Sequence, residues 1–287
     1  MLSEVQDAPR PPARVTAVIS LKGGVGKTTT AVHLAAALAG DGSKVLLIDL
    51  DPNGSAGLSL GLTSGQREHN AADVVLGGLP LLDAVGGTDV ENLDLVTASP
   101  DLRRADVELR SKSRRHHVLR EALAPALGRY DYIFIDCAPY WNDLMKGALV
   151  ASDAFIVPTT PHFLSLDGVA QLVESAERIA LHTGHPCRFL GAVLTAVDYR
   201  LRATHRRVRE IRDRFGAKVF AVEIRTNISL AEAPAEGQTV FQFAPYATGA
   251  KAYRLLAEEF LGLLPPRPAV SPAPPAAVPR RPPVGRA

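Results

Sequence analysis

Seven apolar runs, rich in β-branched residues, recur along the chain at 15–21, 44–50, 93–99, 130–136, 153–158, 189–197 and 218–222. Near-continuous hydrophobicity at that length reads as strands buried on both faces. Helical patterns separate them. Residues 31–38 are rich in Ala and Leu, good helix formers. In 165–182, Leu166, Val169, Leu172, Val173, Ala176 and Ile179 fall on one stripe. Residues 101–127 read as mostly helical and 249–264 as a helix, with shorter pieces at 71–76 and 80–85. Strand alternating with helix predicts an α/β fold: a mainly parallel, twisted β-sheet flanked by helices on both faces.

The pattern fades at both ends. Residues 1–14 hold three prolines and little apolar content, and read as a disordered arm. Residues 265–287 are proline-rich without packing residues, and read as an extended, disordered tail. One domain is expected over 15–264. With 46% hydrophobic residues the chain can bury a sizeable core, and its net charge of +2 leaves any polyanion surface to local clustering. Cys137 and Cys187 are the two cysteines, which argues against a disulfide framework and for a reducing compartment. No apolar run approaches the roughly 20 residues of a membrane helix. The first residues, with Glu4 and Asp7, lack the apolar segment of a secretory signal. A cytoplasmic location is expected.

Chemistry concentrates where the first strand meets the first helix. Between them lie Lys22, Gly23, Gly24, Val25, Gly26, Lys27, Thr28 and Thr29. Glycines permit a backbone approach that a Cβ would block, so their N–H groups can face phosphate oxygens. The helix start adds its own free N–H groups. Lys27 supplies a point charge to the β- and γ-phosphates, and Thr28 a hydroxyl to Mg²⁺. Two further strands end in acids: Asp49 and Asp51 after 44–50, and Asp136 after 130–135. Ligands of open α/β sheets sit at such carboxyl ends.

A basic run covers Arg110 to His117, and reads first as a solvated helix face. A denser one holds Arg200, Arg202, Arg206, Arg207, Arg209, Arg212 and Arg214, against Glu210 and Asp213 alone. Two acids cannot pair seven arginines. A local cationic excess in a nearly neutral chain is the footprint of contact with a phosphate backbone, which positions a protein without reading sequence. The two cysteines read as small core residues.

The ordinary phosphate loop begins with glycine where this chain has Leu21. Its Lys22-Gly23-Gly24-Val25-Gly26-Lys27-Thr28-Thr29 instead resembles the deviant Walker A loop of the ParA/MinD/nitrogenase iron-protein superfamily. Residues 130–136 look like Walker B. Residues 224–234 and 249–253 resemble segments of chromosomal ParA proteins. The resemblance covers about 15–264.

What it implies is an ATPase using ATP and Mg²⁺ that dimerises on ATP, binds double-stranded DNA non-specifically as the dimer, and is released by hydrolysis that a ParB-like partner stimulates. Lys22 reaches the partner subunit's nucleotide; Lys22, Lys27 and Asp51 are catalytic, with Asp51 orienting the attacking water. Residues 22–29 and Asn227 bind nucleotide. Thr28 and, through water, Asp136 hold the metal, with Asp49 supporting its shell. Arg200, Arg202, Arg206 and Arg207, together with Lys251 and Arg254, face DNA over the nucleoid.

Departures from the family pattern are Asn53 for a frequent Gln, Tyr140-Trp141 after Walker B, Arg225 for proline, and Ser229 where a DNA-binding arginine often sits. Another cargo, or a cell-division role, is the alternative. A cluster carrier predicts paired ligand cysteines, and a MinD-like membrane regulator predicts a terminal basic amphipathic helix; neither is found in the sequence.

Overall fold

A computed structural model describes residues 11–63, 65–162 and 165–265. Residues 266–287 of the tail expected over 265–287, and the first ten residues of the expected arm, lie outside the described residues. Seven strands form one sheet in the order β3-β4-β2-β5-β1-β6-β7. They are β1 Arg14–Val18, β2 Val45–Leu50, β3 Gly86–Gly87, β4 Leu93–Val96, β5 Tyr132–Cys137, β6 Ala154–Thr159 and β7 Arg188–Leu194. Every pairing is parallel except that of β3 with β4. The expected fold class is observed.

Burial on both faces follows from the period of two. In β2, Leu46, Ile48 and Leu50 enter one core, and Val45 and Leu47 the other. In β5, Ile133, Ile135 and Cys137 face the first and Phe134 the second. Helix Lys27–Gly40 and helix Thr248–Leu263 cover the second face, burying Leu34, Leu38, Tyr253, Leu256 and Phe260. Helix Asp143–Ala151 covers the first with Leu144, Met145, Ala148 and Leu149. Helix Ser165–Thr183 adds Val169, Leu172 and Ala176, part of the expected stripe.

One expectation fails, for an identifiable reason. Residues 218–222 are not a strand. A single bridge, Ala192 with Val219, joins them to the sheet. The amides of Ala221 and Val222 then donate to the Glu259 carboxylate, at 2.6 and 2.9 Å, in place of a ladder. The seventh strand is instead the glycine pair of β3, where Arg67 donates to the Gly87 carbonyl. Residues 101–127 are mostly helical, as expected, in the pieces Pro100–Arg104, Ala105–Arg110, Val118–Leu123 and Ala124–Ala126, with turns at 111–117.

The two ends of the sheet differ. Its amino end carries a cavity of about 330 Å³ lined by Pro11, Pro12, Leu264 and Pro265 with the starts of β1 and β6. Its carboxyl end carries the glycine loop. There Gly237, at φ +64°, backs onto Gly61; a Cβ on Gly237 would stand 2.6 Å from the Gly61 Cα. This close approach holds the loop after β2 against the 233–237 turn.

Candidate active site

Three adjacent strands build the site. β2, β5 and β1 lie side by side, so their carboxyl ends deliver Asp51, Asp136 and the glycine loop to one place. Gly24 and Gly26 take positive φ, +72° and +74°, and Gly26 caps the start of helix Lys27–Gly40. That turn leaves the first helical N–H groups facing the cleft. The cleft has a volume of about 350 Å³. Lys22, Gly23, Gly24, Gly26, Lys27, Thr28, Thr29, Asp51 and Asn53 line it, so most of the expected nucleotide set converges. Val25 is buried behind the loop, and Lys22 is exposed at its mouth.

Lys27 is the electrostatic hub. Its ammonium donates to Asp136 Oδ1 at 2.9 Å and lies 3.8 Å from Asp51 Oδ2. Burial opposes its charge, but Asp136 and then Asp51 outweigh burial and hold the lysine above its ordinary pKa. Burial raises the Asp136 carboxyl, while Lys27 and the Thr28 hydroxyl oppose it. The 2.9 Å contact with an ammonium favours the ion pair. Thr28 Oγ1 donates to Asp136 Oδ2 at 2.5 Å, which brings hydroxyl and carboxylate together as expected of a shared cation site.

Asp49, expected to support the metal shell, has a different immediate task. Its two oxygens accept the amides of Asp51 and Ala56, both at 3.0 Å. Burial, then the facing Asp136, pushes its carboxyl up to about 8. It is not among the residues lining the cleft; it fixes the loop that carries Asp51. Asp51 Oδ1 accepts the Asn53 amide at 3.0 Å, leaving Oδ2 toward Lys27.

The residue set fits Mg²⁺ in one manner. Among the described residues no group of three His, Cys, Asp or Glu side chains could hold a metal by itself. Mg²⁺ needs no such cage: it takes one or two carboxylates and completes its shell with phosphate oxygens and water. Asp51 and Asp136 around one buried lysine leave local negative charge for it.

Two supports carried no sequence signal. Thr195, just past β7, donates to the Val25 carbonyl at 2.7 Å and to the Thr159 carbonyl at 3.2 Å. His33 sits buried between Thr29 and Val240. Its Nδ1 lies 2.7 Å from the Thr29 carbonyl, and its Nε2 accepts the Val240 amide at 3.0 Å, which fixes the neutral Nδ1–H tautomer. Burial pushes it down to about 4. Its ring stacks on Tyr253 at 4.9 Å. Only a threonine closing an apolar strand, or a histidine inside an Ala-rich helix, marks these in the sequence.

Asn227 stands apart from the loop cleft. It caps the helix Ile228–Glu232 by accepting the Leu230 amide and donates to Thr248 Oγ1 at 2.8 Å. The departure at 140–143 has a structural use. Asn142 caps helix Asp143–Ala151, and Asp143 gathers Arg115, His116 and Lys146 within 3.2 Å. Arg114 pairs with Glu121. The 110–117 run is thus partly neutralised. Both thiols are free, and burial pushes both up.

Helix Arg202–Phe215 forms as expected, but two local acids are not its only partners. Arg200 pairs with Asp198, Arg206 and Arg207 with Glu210, Arg212 with Glu223 and Arg214 with Asp167. Acids from other elements supply three of these, which counting along the helix misses. Lys251 is exposed. Arg254 donates to the Pro245 carbonyl at 3.0 Å and lies over the Phe241 ring.

A parallel sheet with a glycine loop after its first strand, a buried lysine and a strand-end acid facing a hydroxyl makes this a P-loop nucleotide-binding protein of the deviant type. The family model described as an AAA domain matches residues 13–186, more than half of the chain. The Caulobacter vibrioides chromosome partitioning protein ParA is 39% identical over 252 residues, 87% of this chain and 94% of that protein. The Bacillus subtilis sporulation initiation inhibitor protein Soj is 35% identical over 246 residues, covering 86% and 97%. The chain belongs to the ParA family. A Mycobacterium smegmatis structure, described as cobyrinic acid a,c-diamide synthase with bound ADP and magnesium, superposes with TM-score 0.76 at 32% identity, covering 87% of this chain and 94% of that one. The Cyanothece McdA–ATP complex superposes with TM-score 0.79 over 88% and 98% of the two chains; at 20% identity it shares the fold.

Proposed function

We propose that this chain is a Mg²⁺-dependent ATPase of DNA partitioning. ATP binding joins two copies face to face, the dimer holds double-stranded DNA non-specifically over the nucleoid, and hydrolysis releases it. The convergence of Lys27, Thr28, Asp51 and Asp136 in one cleft supports this most. The loop amides and Lys27 bind and orient the phosphates. Thr28 and Asp136 would hold Mg²⁺, which neutralises charge on the transferring phosphoryl group. Asp51, with one oxygen fixed by Asn53, orients the attacking water. Lys22, exposed at the cleft mouth, is free to reach a neighbouring copy's phosphates.

A site split between copies is assembled only part of the time, so turnover alone is slow and a ParB-like partner accelerates it. The basic surface around helix Arg202–Phe215 and Lys251 suits a phosphate backbone. No helix among the described residues is long and apolar enough to cross a membrane. The test is light scattering with ATP and Mg²⁺ on the wild type, on Asp51→Ala and on Lys27→Ala. Asp51→Ala accumulates as an ATP-loaded dimer and Lys27→Ala stays monomeric without nucleotide. Normal turnover by Asp51→Ala, or monomers throughout, contradicts the proposal.

A further inference from the structure

Pairing off the arginines of this surface leaves a remainder. Asp198 takes Arg200 through two contacts, Nε at 2.8 Å and Nη2 at 2.7 Å. Glu210 takes Arg207 at 2.6 Å and Arg206 at 3.8 Å; Glu223 takes Arg212 at 2.8 Å; Asp167 takes Arg214 at 3.1 Å. Among the described residues Arg202, Arg209 and Arg225 form no ion pair. Arg202 and Arg209 are seven apart on the helix, opposite its buried Thr204, Val208 and Ile211.

Arg225 differs from the other two because it is braced. Its guanidinium lies over the Tyr199 ring, 5.2 Å from the centroid. The Tyr199 hydroxyl donates to Glu223 Oε2 at 2.8 Å, and the other Glu223 oxygen is held by Arg212. The Arg225 backbone bridges to Val197, and the next amide, Thr226, donates to the Val197 carbonyl. His205 packs on Tyr199 at 4.7 Å, tying the platform to the basic helix. Arg225 and Ile228 are exposed, and with Tyr199 and Arg200 they line a cleft of about 600 Å³.

We infer that Arg225 is the anchoring phosphate contact for duplex DNA, with Arg202 and Arg209 as further unpaired cations, and that the acid-paired Arg206 and Arg207 are not; this rests on the DNA-binding reading above. A guanidinium presents a rigid fork of donors that matches phosphate. Stacking on Tyr199 orients that fork while leaving its edge free. An arginine already paired must first give up its carboxylate. Duplex is favoured over single strand because Tyr199, the one aromatic ring lining the cleft, is already covered by Arg225; base stacking needs open rings.

The experiment is fluorescence anisotropy of a short duplex with the full chain in ATP and Mg²⁺, across a salt series. Nucleotide occupancy is checked separately with a fluorescent ATP analogue, and folding by thermal melting. Arg225→Ala is expected to weaken binding about tenfold and to lower the slope of log K against log salt by about one. Arg225→Lys keeps the slope but loses part of the affinity. Tyr199→Leu, which unseats the guanidinium without removing charge, falls between. Arg206→Ala with Arg207→Ala stays within about twofold of wild type, as expected for groups already neutralised. Duplex binding by Arg225→Ala equal to that of the wild type, or loss confined to the Arg206/Arg207 pair, overturns the inference. Tighter binding of single strands does the same. If the ATP-loaded wild type ignores duplex altogether, the DNA-binding reading falls, and this inference with it.

Discussion

At the scale of single residues, the cleft depends on side chains that never face it. Thr195 is buried and donates to the carbonyl of Val25, in the middle of the glycine loop. Thr195→Val keeps the volume but removes the donor, leaving a buried carbonyl unsatisfied at a cost of about 1–3 kcal/mol. It should also weaken ATP binding several-fold, while Thr195→Ser retains both. Melting and nucleotide titration check this; equal affinity in the valine variant would remove Thr195 from the site. Legibility divides along the same line. Lys27, Thr28, Asp51 and Asp136 were readable because loop spacing and strand ends announce them. Thr195 was not, since nothing local distinguishes it from any threonine closing a strand. The two amides that Asp49 accepts are not legible either, because a strand-end acid looks the same whether it faces solvent or backbone N–H groups. Which arginines of the basic helix are paired is not legible either, because Glu223 and Asp167 reach Arg212 and Arg214 only through folding.

At the scale of elements, the apolar runs located six of the seven strands, since burial on both faces leaves an unmistakable composition. The exceptions are instructive. Residues 218–222 have strand composition, yet a carboxylate from helix Thr248–Leu263 takes two of their amides. β3, a glycine pair, has no side chains to signal anything. Helix Lys27–Gly40 illustrates what pattern conceals: its His33 links the loop helix to the segment starting at Val240 and to Tyr253. Folding holds this histidine neutral to about pH 4, whereas the unfolded chain protonates it near 6.5. Its contribution is therefore complete above about pH 6.5 and is lost as pH falls toward 4, up to about 3 kcal/mol in all. Asp49, protonated to about pH 8 when folded, acts oppositely, losing stability as pH rises above the ordinary carboxylate range. The clean comparison is thus between wild type and His33→Gln. Urea midpoints at pH 7.5 and 5.0 should diverge more for wild type, by the equivalent of about 2 kcal/mol. Parallel midpoints would show that His33 does not control the acid response.

At the scale of the whole molecule, strands apolar on both faces imply a core on each side of the sheet, and strand alternating with helix implies the layers that cover it. Strand order was not legible: β5 inserts between β1 and β2 although some 80 residues of chain separate it from β2. That insertion is what gathers the three strand ends of the site. The opposite pole has its own meaning. Pro11, Pro12, Leu264 and Pro265 share the wall of one cavity beneath the sheet. A fold whose first strand is entered and last helix is left side by side can be re-spliced there. Joining 265 to 11 through a short Gly-Ser spacer, and opening new ends at the exposed turn 41–43, should yield a permutant that binds ATP within about threefold of the parent, measured by analogue titration. Loss of binding in a folded permutant would mean that the original linkage order is itself required. The same geometry makes the amino pole of the sheet a safe anchor: a bead, dye or surface attached at the wall formed by Pro12 and Leu264 leaves the nucleotide face pointing away from its support.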